Sequence, residues 1–127
     1  MNLSVYVIGG GSWGLALTRR LALNEHRVNL ECRAEDRPDL LAATRESVVC
    51  LPGVKLPESV TINAGGLDDA DIAVLAVPSH VMRLAVAAHQ FSTQTVLVSV
   101  AKGIENDTLL RMDEVIHQVA GDRTVVA

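Results

Sequence analysis

An apolar strand that runs straight into spaced glycines and then into a helix constrains this chain more than any other feature. Leu3 to Ile8 is β-branched and apolar, Gly9-Gly10-Gly11 follows at once, and Trp13, Ala16, Leu17, Leu21 and Leu23 then recur at helical spacing from Ser12 to about Asn24. Gly9, Gly11 and Gly14 form a G-x-G-x-x-G pattern across the junction. The first glycine permits a tight turn, the second lets backbone approach a pyrophosphate, and the third lets helix and strand pack closely. Unpaired N–H groups and the positive dipole end of the helix then face the anion, worth roughly 0.3–1 kcal/mol per charge when exposed and up to about 2 when partly buried. A purely structural turn, or the glycine-rich loop of a methyltransferase, uses a similar pattern. The context selects dinucleotide binding.

That context is an alternation. Further strands are expected at Arg27 to Cys32, Ser59 to Asn63, Ile72 to Val77, Thr95 to Val100 and Thr124 to Ala127. Helices are expected from about Asp36 to Arg45, His80 to His89 and Thr108 to Val119. The prolines of Leu51-Pro52-Gly53 and Leu56-Pro57 predict a loop between them. Ile72 to Val77 is apolar throughout, as a strand buried on both faces must be. Strand-helix alternation of this kind predicts an α/β, Rossmann-like doubly wound, mostly parallel sheet flanked by helices.

The 127 residues suffice for one domain and are too few for two. A net charge of −4 without a basic run gives no reason to expect nucleic acid or an anionic membrane as partner. No apolar stretch is long enough for a membrane-spanning helix, and no signal-peptide pattern opens the chain, so a cytoplasmic location is expected. Cys32 and Cys50 read as free thiols, and the scattered His26, His80, His89 and His117 suggest no metal site. A close on Thr124-Val-Val-Ala127 without a polar tail reads as a cut at a domain boundary.

Four segments carry a more specific resemblance. Ile8-Gly9-Gly10-Gly11-Ser12-Trp13-Gly14, Leu51-Pro52-Gly53 with Leu56-Pro57, Ala76-Val77-Pro78-Ser79-His80 followed by Arg83, and Ala101-Lys102-Gly103-Ile104-Glu105 stand in sequence. In order and approximate spacing they resemble the N-terminal domain of bacterial-type NAD(P)-dependent glycerol-3-phosphate dehydrogenases. The resemblance implies an oxidoreductase interconverting sn-glycerol 3-phosphate and dihydroxyacetone phosphate in glycerophospholipid synthesis. It also implies that residues 1–127 are the dinucleotide-binding domain, without the family's C-terminal helical substrate domain and its catalytic lysine. No catalytic residue is therefore assigned to this chain. A small-molecule phosphate is the expected substrate, and a homodimer is expected of the full-length protein.

Residue roles follow from the same resemblance, with plainer readings beside them. Gly9, Gly11, Ser12, Trp13 and Gly14 are implied to hold the pyrophosphate, Trp13 being otherwise a core aromatic. Arg33, just past the second strand, is placed to pair with a 2′-phosphate and so to prefer NADP over NAD. A charge-assisted pair of about 1.5–3 kcal/mol favours it roughly ten- to over a hundredfold. A solvated surface arginine is the alternative. Glu31, often aromatic in relatives, argues for NAD if it reaches the ribose, but strand alternation puts it on the face opposite Val28, Leu30 and Cys32. Ala34, Ser47 and Cys50 also depart from the family. Pro78 and Ser79 are expected beside the nicotinamide ribose, or simply to end a strand. Lys102 is implied to contact cofactor and substrate by charge, or else is a surface lysine. A stand-alone dinucleotide-binding module without catalysis is the competing function.

Overall fold

In chain order the elements are β1 (Ser4–Ile8), α1 (Ser12–Leu23), β2 (Arg27–Glu31), α2 (Pro38–Thr44), β3 (Glu46–Ser47), β4 (Leu51–Lys55), β5 (Thr61–Ile62), β6 (Ile72–Leu75), α3 (Met82–Ala87), β7 (Val96–Ser99), α4 (Met112–Ala120) and β8 (Val125–Val126). They come from a computed structural model that describes all 127 residues. Six strands form one parallel sheet in the order β5-β2-β1-β6-β7-β8. The chain winds outward from β1 to β5, then returns to pair β6 on the other side of β1. The strand order therefore reverses between β1 and β6, where open parallel sheets bind ligands at their carboxyl edge. The doubly wound expectation is met.

β1 is the axis because it is apolar on both faces. Val5 and Val7 point into one core with Leu15 of α1, Val28, Leu30 and Leu41 of α2. Tyr6 and Ile8 point into the other, with Leu75, Met82 and Val86 of α3, Leu97, and Val115 and Ile116 of α4. Leu30, Leu75 and Leu97 are fully buried, each such side chain contributing roughly 1.5–3 kcal/mol over an exposed one.

Several boundaries differ from the sequence reading. The expected loop at 51–57 contains β4, which forms an antiparallel hairpin with β3 through a register shift. Ser47 Oγ accepts the Cys50 N–H at 3.2 Å and Glu46 Oε2 accepts the Gly53 N–H at 3.0 Å, so side chains close this hairpin. Pro52 is tolerated because a two-stranded ribbon has free edges. α2 starts at Pro38, a position whose missing N–H costs nothing at a first helical turn. α4 starts four residues later than expected, since Leu109 adopts φ 60° and Glu114 Oε2 accepts the Arg111 N–H at 2.8 Å, fixing the helix start there. The connection from β5 to β6 holds only a 3-10 turn at Leu67–Asp69, where a crossover usually carries a helix.

Candidate functional site

The turn between β1 and α1 is shaped by three different contacts. Gly9 has φ 124°, and a Cβ there would overlap the carbonyl oxygen of Ala76 beyond β6. A Cβ at Gly14 would overlap the carbonyl oxygen of Gly9. Gly10, to which the sequence assigns no role, faces Cys32 Sγ at 2.8 Å and Asp36 Oδ2 at 3.1 Å from its would-be Cβ. Gly11 is different: nothing lies within 4 Å of a Cβ built on it. Close packing explains Gly9, Gly10 and Gly14, whereas no neighbouring atom requires the missing side chain at Gly11.

Gly11 is also the N-cap of α1. No side chain caps the helix, and no acidic residue occupies its first turn. The opening amides of a twelve-residue helix thus face outward without a carboxylate to compete for them. Ser12 is exposed beside them. Trp13 is 59% exposed, which overturns its reading as a core aromatic. A large exposed indole at a helix start is an unsatisfied apolar surface.

At the end of β2 the Glu31 carbonyl accepts the Gly9 N–H at 3.0 Å, tying strand to glycine turn. Its carboxylate turns the other way, as strand alternation predicts. Glu31 Oε2 accepts from the Tyr6 hydroxyl at 2.5 Å, and Oε1 lies 2.8 Å from His89 Nε2 at the end of α3. His89 Nδ1 faces the Ala85 carbonyl oxygen at 2.6 Å. Both ring nitrogens of His89 therefore face oxygen atoms. Burial, aided by the hydrogen bond to Glu31 and its charge, pushes the Tyr6 hydroxyl well above the ordinary phenol range.

Arg33 projects into solvent, with a side chain 76% exposed and its Nε 3.6 Å from Asp36 Oδ2. Asp36 is 12% exposed, accepts the Arg33 N–H at 3.1 Å and abuts Gly10. Burial, with the Asp36 and Glu31 charges nearby, pushes the Cys32 thiol up to about 11. A cavity of about 410 Å³ opens beside Arg33 and Asp36, walled by Leu40, Leu41, Val49 and Cys50. Asp36 and the Glu31–Tyr6–His89 network are the features sequence reasoning missed. Asp36 carried a signal, an acid three residues after a strand-end arginine. The network carried none.

The ends of β6 and β7 meet on the same edge. A Cβ at Gly103 would lie 3.7 Å from Ser79 Oγ, so the Lys102–Gly103 turn faces the Pro78–Ser79 turn. Lys102 and Pro78 are exposed, and Ser79 is half-buried. Arg83 fastens the far side of this turn, donating to both Glu105 oxygens at 2.9 and 2.8 Å and to Gln118 at 2.8 Å. Hydrogen bonds from Arg83 and Thr108 hold the Glu105 carboxyl down at about 2. The fold thus gathers Gly9, Gly11, Ser12, Trp13, Gly14, Arg33, Pro78, Ser79 and Lys102 along the carboxyl edge of its central strands.

Comparison with known proteins agrees with this geometry. A glycerol-3-phosphate dehydrogenase, NAD(P)+-dependent, from Corynebacterium kroppenstedtii is 38% identical over 124 residues, covering 94% of this chain and 37% of the relative. The corresponding protein of Agathobacter rectalis is 41% identical over 118 residues, covering 89% and 35%. The chain thus spans little more than a third of the length of such relatives. The crystal structure of a glycerol-3-phosphate dehydrogenase from Coxiella burnetii superposes with a TM-score of 0.86 at 22% identity, over 98% of this chain and 39% of that one. A ketopantoate reductase from Ralstonia eutropha shares the fold at a TM-score of 0.74 and 19% identity, over 97% of this chain and 40% of that one. The family model for the N-terminus of NAD-dependent glycerol-3-phosphate dehydrogenase matches residues 4–127, and this chain belongs to that family.

Proposed function

We propose that this chain is the dinucleotide-binding domain of an oxidoreductase that interconverts sn-glycerol 3-phosphate and dihydroxyacetone phosphate with NAD(P)(H), in glycerophospholipid synthesis. The observation that carries the reading is the open space at Gly11, set at an uncapped helix start between glycines that packing requires. The residues present fit a dinucleotide. Amides of the α1 start hold the pyrophosphate, with the Ser12 hydroxyl adding a hydrogen bond and Trp13 covering it. Arg33 pairs with a 2′-phosphate, so NADP is preferred over NAD, and the cavity beside it receives the adenosine. Pro78 and Ser79 line the nicotinamide ribose. The bound nicotinamide supplies or accepts the hydride.

Lys102, exposed beyond the end of β7, places a positive charge where a phosphate-bearing substrate approaches the cofactor. Its role is orientation and electrostatic support of substrate oxygens, without proton transfer. We assign proton transfer to residues outside this chain, in a separate substrate domain. On this reading the 127 residues are one binding domain that does not turn over substrate alone, and the full-length enzyme is a cytoplasmic homodimer.

The test is a titration with NADPH and NADH in parallel, following fluorescence of Trp13, the single tryptophan. Saturable quenching by both, tighter for NADPH and weakened by Arg33→Ala, is expected. A folded chain that responds to neither dinucleotide overturns the reading. Oxidation of NADPH by this chain with dihydroxyacetone phosphate overturns the assignment of catalysis elsewhere.

A further inference from the structure

We infer that Tyr6 and His89 are specificity-determining positioning residues, which hold the Glu31 carboxylate off the adenosine ribose and leave Arg33 unopposed for a 2′-phosphate. The inference rests on the dinucleotide reading above and assigns its cofactor choice to residues that do not touch the cofactor.

Glu31 is the last residue of β2, and its carbonyl holds Gly9. An acid at this strand end is the feature that selects NAD, because a carboxylate accepts from the ribose hydroxyls and repels a 2′-phosphate. In this chain it stands two residues before Arg33, whose charge favours the opposite cofactor. Left free, the two cancel each other's selectivity.

The structure removes the conflict. One Glu31 oxygen accepts from the Tyr6 hydroxyl and the other lies on His89 Nε2, so the carboxylate is tied towards β1 and the end of α3. His89 is itself fixed, with its other nitrogen on the Ala85 carbonyl, its ring against Phe91 at 5.9 Å between centroids, and a side chain 13% exposed. Other charges near this strand end are Arg33 and Asp36, and Asp36 is engaged by the Arg33 N–H. Tyr6 lies on β1 and His89 beyond α3, so two separate elements converge on one side chain. The tie faces the α3 side of the sheet, while Arg33 stays on the open edge.

The experiment measures dissociation constants for NADPH and NADH from Trp13 fluorescence, with thermal unfolding as a fold check. The chains compared are wild type, Tyr6→Phe, His89→Leu and the double variant His89→Leu/Glu31→Gln. In His89→Leu the preference for NADPH over NADH is expected to fall about tenfold, as a released carboxylate accepts from the NADH ribose and repels the 2′-phosphate of NADPH. Adding Glu31→Gln restores the wild-type ratio, because an uncharged amide no longer repels the phosphate. Tyr6→Phe, the milder change, shifts the ratio in the same direction by less, and it carries the test if His89→Leu does not fold. A network that only stabilises the fold weakens both cofactors alike, so an unchanged ratio overturns the inference. So does a shift that Glu31→Gln leaves in place. Failure of the wild type to bind either cofactor instead sinks the dinucleotide reading, and this inference with it.

Discussion

At the end of β1 the backbone itself forms the candidate site, whereas beyond the ends of β6 and β7 side chains form it. Gly9 and Gly14 are held by carbonyl oxygens that leave no room for a side chain, and Gly11 between them opens on empty space. Lys102 and Pro78 stand in solvent with no such constraint, and Ser79 beside them is half-buried. At Gly9 and Gly14 the first region cannot change without disturbing the fold, and the second changes freely as far as stability is concerned. On the proposed function, phosphate recognition by the turn is therefore tied to folding, while contact with the reacting end of a ligand is adjustable.

Substitution tests the contrast directly. Gly14→Ala gives the largest expected effect: its methyl group overlaps the Gly9 carbonyl, so stability falls by more than about 3 kcal/mol and the urea midpoint drops sharply. A wild-type midpoint for this variant breaks the comparison at its strong end. Gly11→Ala, whose methyl group meets no neighbouring atom, leaves stability within about 0.5 kcal/mol. It weakens dinucleotide binding at least about tenfold, because its methyl occupies the approach of the pyrophosphate.

Arg33→Ala is expected to cost NADPH roughly tenfold and NADH little, at unchanged stability, as read from paired titrations. Lys102→Ala leaves the thermal midpoint where it was and weakens dinucleotide binding by only about two- to threefold, a loss near 0.5 kcal/mol. A large stability loss at Lys102 removes the distinction between the two regions. The smallest effect belongs to Glu105. Its folded carboxyl sits at about 2, below the ordinary 4.5. The stability it contributes is therefore complete above 4.5 and disappears as pH falls from there towards 2. Glu105→Gln flattens that part of the thermal midpoint against pH and changes little at neutrality.

The same contrast explains what the sequence reveals. The glycine turn is legible because its three spaced glycines fall within six residues and sit between a strand and a helix that are themselves periodic. The parallel sheet follows from the alternation, and Ile72–Leu75 announces its double burial by composition. Pro78, Ser79 and Lys102 carry no local signature of that strength; their places just past predicted strands and the family resemblance single them out. The β3–β4 hairpin stays hidden because Pro52 and Gly53 read as breakers, although a two-stranded ribbon tolerates both. The extra turn expected of α4 follows an apolar pattern that Leu109 continues on paper, but its left-handed φ takes the backbone out of the helix. Glu31 is placed on the correct face by alternation alone. Its partners lie 25 and 58 residues away in sequence, and no short-range pattern pairs them.

The contact between Gly9 and Ala76 has a consequence for how the molecule forms. A turn that looks local in sequence is closed by a carbonyl far downstream, across β2, α2, the hairpin and a crossover with no α-helix of its own. Closing that long loop costs entropy before any contact repays it, so the ligand-ready turn belongs to the late part of the folding reaction. Recovery of dinucleotide binding after dilution from denaturant therefore reports completion of the central sheet. Local helix formation, which proceeds on its own clock in α1, leaves that signal silent.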